Sequence, residues 1–197
     1  MLSYAIAVII LMTIPGPALF TIFGIGAAFG YRAGIQYVIG VYIGANLLTL
    51  IVFSGLSTLL LEFPGLRSIL LLLSLAYFTY LAFRIGLART GLGIVSQSPP
   101  GCWAGVSLQL LNPKAYMTIS ALYLGFPIFA NTPMSEAILK VIIANIIWIP
   151  GHLLWLYAGV RVNRLNLSER TTRLLNISLA TAMLLIVFVS AILSIFE

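Results

Sequence analysis

The chain has 197 residues, 61% hydrophobic and only 7% charged, with a mean hydropathy of +1.14 and a formal net charge of +6. A water-soluble domain carries about a quarter of charged residues, so that class is excluded. The basic residues are scattered over short connectors and never form the stripe that a phosphate backbone requires, which excludes a nucleic-acid partner.

Long uncharged stretches predict helices near 4–30, 34–61, 67–88, 102–130, 136–160 and 173–196, most of them able to supply the roughly 20 apolar residues that cross a bilayer. The first begins Met1-Leu2-Ser3-Tyr4 without positive charge, which predicts a spanning helix rather than a cleaved leader, and Pro15-Gly16-Pro17 interrupts it. The second carries Gly40 and Gly44, a G-x-x-x-G face for close helix packing, followed by Asn46 and Thr49. The fourth holds Gln109 and is interrupted by Asn112-Pro113-Lys114; the fifth holds Asn145 and Pro150-Gly151-His152. Turn residues mark the connectors: Gly30 to Gly34, Phe63-Pro64-Gly65, Gly91 to Gly101, Asn131-Thr132-Pro133 and the polar 161–173 segment. The expectation is an all-α integral membrane protein of six transmembrane helices, one domain over 1–197 with halves near 1–90 and 100–197.

Sidedness comes from the basic residues. The first, third and fifth connectors hold Arg32, Arg84, Arg89, Arg161, Arg164, Arg170 and Arg173, whereas the second and fourth hold Arg67 and Lys140. Positive residues stay in the cytoplasm, so the odd connectors are placed there and both termini in the periplasm of a bacterial inner membrane.

The interruptions in helices 1 and 4 lie about a dozen residues inside their apolar stretches, three helix passes apart. An odd number of crossings inverts the second half relative to the first, which predicts a 3+3 inverted repeat with broken helices 1 and 4. Proline is favoured at the first helical position, because its missing N–H has no partner there in any case. Pro17 and Pro113 therefore read as starts of half-helices, with Asn112 as an N-cap. Two such N-termini meeting near the midplane would offer free N–H groups to an anionic substrate group, unless both are simple proline kinks.

The candidate substrate-binding residues are Pro15, Gly16, Pro17, Ala18, Asn46, Asn112, Pro113, Lys114 and Asn145. Lys114 either balances a substrate carboxylate or snorkels to the cytoplasmic surface. His152 is a candidate proton carrier or a hydrogen-bonded structural histidine. The sequence has no aspartate, and Glu62, Glu136, Glu169 and Glu197 are read as connector or terminal residues, leaving no embedded carboxylate for coupling. One cysteine, Cys102, and one histidine make no metal site, disulfide or redox pair, and no cofactor is expected.

Four patterns bring the chain to resemble the LysE/RhtB family of amino-acid exporters along nearly its full length: Met12-Thr13-Ile14-Pro15-Gly16-Pro17, Gly40-Val41-Tyr42-Ile43-Gly44, Ala76-Tyr77 with Leu81 to Arg84, and Leu108-Gln109-Leu110-Leu111-Asn112-Pro113-Lys114. General similarity is greatest to its cysteine and O-acetylserine exporter branch. The resemblance implies six helices, efflux of amino acids or their derivatives, and coupling to the proton gradient. The chain departs from the family pattern at Ala18, where many members have asparagine, and at Ala45, where many have an acidic residue. The resulting expectation is a secondary transporter working by alternating access, with an amino-acid-like solute and membrane lipid as partners and a homodimer compatible with it. The alternative is a non-transporting membrane scaffold. No nucleophile turn or embedded acid pair supports an enzyme.

Overall fold

The computed structural model describes residues 1–14, 16–55, 63–86, 98–128, 133–165 and 167–196, with side chains for these except 64, 67, 133, 186, 187 and 190–196. Pro15, Glu62, Arg89, Glu197 and the turn at 131 and 132 lie outside the described residues. The elements are α1 (Leu2–Thr13), α2 (Pro17–Phe29), α3 (Tyr31–Phe53), α4 (Pro64–Gly86), α5 (Cys102–Leu110), α6 (Pro113–Gly125), α7 (Pro133–Arg164) and α8 (Glu169–Phe196). No strand occurs among the described residues.

Both expected interruptions are present, and their backbone follows from proline chemistry. Ile14 and Asn112 each precede a proline in sequence and are extended, at φ −61°, ψ 114° and φ −87°, ψ 103°. Proline's ring excludes helical geometry from the residue before it. Helices α2 and α6 then restart with proline in their first turn, each 13 residues long. The α1 and α2 axes differ by 55°. Between α2 and α3 the chain reverses at Gly30, whose φ of +80° favours glycine.

Packing between the two parts of the chain is reciprocal. Helices α1 and α2 lie against α7, α5 and α6 lie against α3, and α4 pairs with α8. Glycines set the closest approaches. A side chain on Gly40 or Gly105 would collide with the backbone of the facing helix, at Cys102 and at Tyr37 respectively, and one on Gly159 would collide with Phe23. The G-x-x-x-G face of α3 is therefore a backbone-to-backbone seam with α5, which buries Gly105, Val106, Leu108 and Gln109 while Trp103 stays on the surface.

Two apolar clusters result, one around Ile22, Ile25, Tyr37, Phe78, Leu81 and Leu156, the other around Tyr4, Val8, Leu48, Val52, Tyr116 and Leu122. Large apolar side chains also cover the outside: Leu2 is 75% exposed, Ile146 66% and Leu72 67%. Such a surface suits hydrocarbon, not water. Among the described residues, Tyr31–Phe53, Ser68–Gly86 and Met134–Arg164 are long and apolar enough to cross a membrane, and the bent pair α1 and α2 makes a fourth if it is one span.

Several sequence expectations need correction. Helix α7 extends beyond both ends of the expected 136–160, because Glu136 in its first turn and Arg161 and Arg164 in its last suit the helix dipole. Glu136 and Glu169 thus stand in first helical turns rather than connectors. Arg84 belongs to the last turn of α4, and Arg170 and Arg173 to α8. Lys140 is no connector charge: it sits within α7 with 2% of its surface exposed.

Candidate functional site

A mainly apolar cavity with a set of polar groups on its wall lies where the breaks meet α3 and α7. It encloses about 780 Å³ of empty space, its open mouth included, and is lined by Gly16, Pro17 and Ala18 of the first break, Gln109, Asn112 and Lys114 of the second, Asn46 and Thr49 of α3, and Asn145, Trp148 and His152 of α7. The structure therefore gathers eight of the predicted residues around one space: Gly16, Pro17, Ala18, Asn46, Asn112, Lys114, Asn145 and His152. Pro113 is not among the lining residues; it starts α6.

Each break frees backbone groups that a membrane interior must satisfy. At the first, the Lys114 ammonium donates to the carbonyl of Ile14 at 2.9 Å. Lys114 lies across Gly16, where an added Cβ would stand 2.9 Å from Nζ and 3.1 Å from Cδ. Glycine at position 16 thus makes room for this crossing. At the second break, the buried Ser74 hydroxyl of α4 donates to the Leu111 carbonyl. Among the described residues the first helical bond of α2 runs from Phe20 N–H to Gly16 O, and the N–H groups of Ala18 and Leu19 belong to the partial positive end of the helix.

Asn112 occupies the N-cap position of α6, yet its side chain makes no capping bond. Its Oδ1, like Oε1 of Gln109, is buried without a hydrogen-bond partner, although both side chains line the cavity. Buried polar atoms are otherwise almost always paired, so these two acceptors stand out as unsatisfied. The capping bond expected of Asn112 is not made.

Asn46 and Asn145 face each other across the cavity wall. Asn145 Nδ2 donates to Asn46 Oδ1 at 3.2 Å, and Asn46 Nδ2 reaches Asn145 Oδ1 at 3.5 Å while donating to Tyr42 O at 2.9 Å. They both line the space and bond across helices. His152 is buried, with its ring stacked on Trp148 at 3.7 Å and its Nδ1 2.9 Å from the Trp148 carbonyl. A carbonyl only accepts, so Nδ1 carries the hydrogen and the neutral ring keeps its lone pair on Nε2, a proton acceptor. Trp148, expected among interface anchors or packing, is buried packing that walls the cavity.

Sequence reasoning missed a second polar group at the Tyr123 end of the cavity. Lys140 Nζ pairs with Glu136 Oε1 at 2.6 Å, donates to Tyr123 O at 2.7 Å and lies 5.7 Å from the centre of the Tyr4 ring. The spacing Glu136 to Lys140 was the available signal, because residues four apart meet on one helix face.

The sequence matches the family described as LysE type translocator over residues 9–194. The chain belongs to this family. The translocator is also 28% identical over 139 residues to a leucine efflux protein of Klebsiella pneumoniae subsp. pneumoniae, a match covering 67% of the chain and 66% of that relative. The comparison gives no support to the narrower cysteine and O-acetylserine placement. No solved structure matches the chain.

Proposed function

We propose that this translocator exports amino acids with apolar side chains by alternating access across a bacterial inner membrane, with six spans and both termini in the periplasm. The observation that carries the reading is one cavity bordered by both helix breaks, with a lysine ammonium between them and unpaired amide oxygens beside it. An α-amino acid has the complementary charges. Its carboxylate would be received by Lys114 and the N–H groups of Ala18 and Leu19, its ammonium by the side-chain oxygens of Gln109 and Asn112. Leu11, Met12, Ile119, Leu122 and Trp148 line the remainder and suit an aliphatic side chain, in keeping with the leucine-efflux name of the relative. Among the described lining residues there is no carboxylate to receive a basic side chain.

Reciprocal packing supports the inverted repeat. Each half would contribute a broken helix, a helix that receives the other half's broken helix, and a third helix that pairs with its counterpart. The proposed sidedness rests on the greater number of basic residues at and near the odd connectors. His152, with Nε2 as acceptor, is the group we assign to proton coupling. The scaffold alternative expected side chains to fill the space between the breaks, and the cavity weighs against it.

The test is uptake of radiolabelled leucine into inverted vesicles, where export becomes uptake. Accumulation that depends on both the translocator and an imposed proton gradient is expected. Equal signal in vesicles with and without the translocator would refute it.

A further inference from the structure

We infer that the Glu136–Lys140 ion pair is a proton-released latch that holds the cavity shut at its Tyr123 end. The inference deepens the export reading and rests on it for the direction of flow, but not for the geometry.

The pair ties together four helices. Lys140 and Glu136 belong to α7, and the Lys140 ammonium donates to the Tyr123 carbonyl in the last turn of α6. That carbonyl is one of the last four of its helix, which lack partners within it and carry the negative end of the dipole. The Tyr4 hydroxyl of α1 donates back to the Lys140 carbonyl at 3.1 Å, and Phe53 of α3 packs on the Tyr123 ring at 4.8 Å. Tyr123 itself lines the cavity. Whatever separates α7 from α6 at this point opens the cavity to the side on which α7 begins, which the arginine distribution places outside the cell.

Chemistry makes the pair releasable. Lys140 is 2% exposed, and an ammonium so buried is held by its counter-ion. Among the described residues, the titratable groups around it are Tyr4 on α1, Tyr123 on α6 and Glu136 on α7. Glu136 is the single anion of the set. Its side chain keeps 13% of its surface exposed, so it remains within reach of protons from outside. When a proton binds the carboxylate, the ammonium is left with neutral partners, a carbonyl and an aromatic ring, and the α6–α7 contact weakens. Acid on the periplasmic side strong enough to overcome the hold of the ammonium on the carboxylate thus unlocks the exit, whereas neutral conditions keep it shut.

The experiment reads access rather than transport, so it fails separately from the export reading. Cys102 is the chain's one cysteine, and Cys102→Ser leaves a background in which Thr118→Cys, on the cavity wall, reports labelling by a membrane-impermeant maleimide. In right-side-out vesicles at neutral pH the paired chain should label slowly. Glu136→Gln should label faster by roughly tenfold or more, and so should the double variant Glu136→Gln with Lys140→Met, which carries no stranded charge and guards against misfolding. Relative to a free-thiol control, acid outside should accelerate the paired chain and neither variant. Variants that label no faster than the paired chain, or that gain access only in inverted vesicles, would overturn the latch. If unmodified protein catalyses no leucine exchange, the export reading fails while the latch result stands.

Discussion

Lys114→Met preserves the unbranched stem that crosses Gly16 and removes only the ammonium. In the proposed complex that ammonium meets the substrate carboxylate while holding the Ile14 carbonyl, since its three N–H donors can serve more than one acceptor at a time. A hydrogen bond to a charged group contributes about 1.5–3 kcal/mol, and each 1.4 kcal/mol is tenfold in affinity, so KM for leucine should rise roughly ten- to a hundredfold. The half-buried position of Lys114 argues for the lower part of that range, because water in the cavity screens the charge. Leucine exchange in proteoliposomes provides KM, and leucinamide provides the control that identifies the interacting group, as it has the same side chain and amine but no carboxylate. Wild-type protein should prefer acid over amide, and the variant should lose that preference by the factor by which KM rises. A variant with unchanged KM and an undiminished acid-over-amide ratio would show that Lys114 only pins the break, refuting the carboxylate assignment.

Gly44→Ala should destabilise the protein by about 1–3 kcal/mol, as overpacking does, because the new methyl would stand 2.8 Å from Gln109 Cβ and 3.0 Å from Val106 O; Gly101→Ala, which meets nothing within 4 Å, should leave thermal unfolding in detergent unchanged. His152→Asn should abolish leucine accumulation driven by a proton gradient while sparing leucine exchange, and persistent gradient-driven accumulation would remove His152 from coupling. A bis-methanethiosulfonate cross-linker joining Asn46→Cys and Asn145→Cys in a Cys102→Ser chain should block exchange beyond the loss caused by the substitutions, with reduction relieving the additional block. A link between Ala27→Cys and Asn163→Cys, within the α2–α7 contact where Asn163 Nδ2 now donates to Ala27 O at 2.7 Å, should leave exchange intact.

The breaks were legible in sequence because proline alters the covalent backbone, and no tertiary contact restores the missing N–H or relieves the residue before it. The convergence of Asn46, Asn145 and His152 with those breaks was legible only as a list of polar residues in apolar runs; which of them share a space depends on helix rotation. Asn112 shows the limit of a local preference. It has the residue type and position of an N-cap, yet its oxygen remains unpaired at the cavity. Lys140 shows another. Counting charges along the chain treated it as a surface cation, because a count of basic residues ignores the carboxylate one helical turn away that makes burial tolerable.

Two kinds of contact divide the molecule in a way the order of its helices does not. Where α3 meets α5, and where α2 meets α7, backbones touch at Gly40, Gly105 and Gly159 without room for a methyl group. Such seams resist sliding, since packed interiors accommodate little change in volume. Across the cavity the two groups share both apolar clusters and also meet at polar joints: Asn46 with Asn145, Lys114 with the Ile14 carbonyl, and Lys140 with the Tyr123 carbonyl. The first two can exchange their partners for water or substrate at small net cost, whereas the buried Lys140 is held by its counter-ion. For the proposed alternating access, the glycine seams favour as moving units not the first and second halves of the chain but α1, α2 and α7 against α3, α5 and α6. Substrate bound between them would compete for the joints that hold them together, which makes binding itself a force for opening.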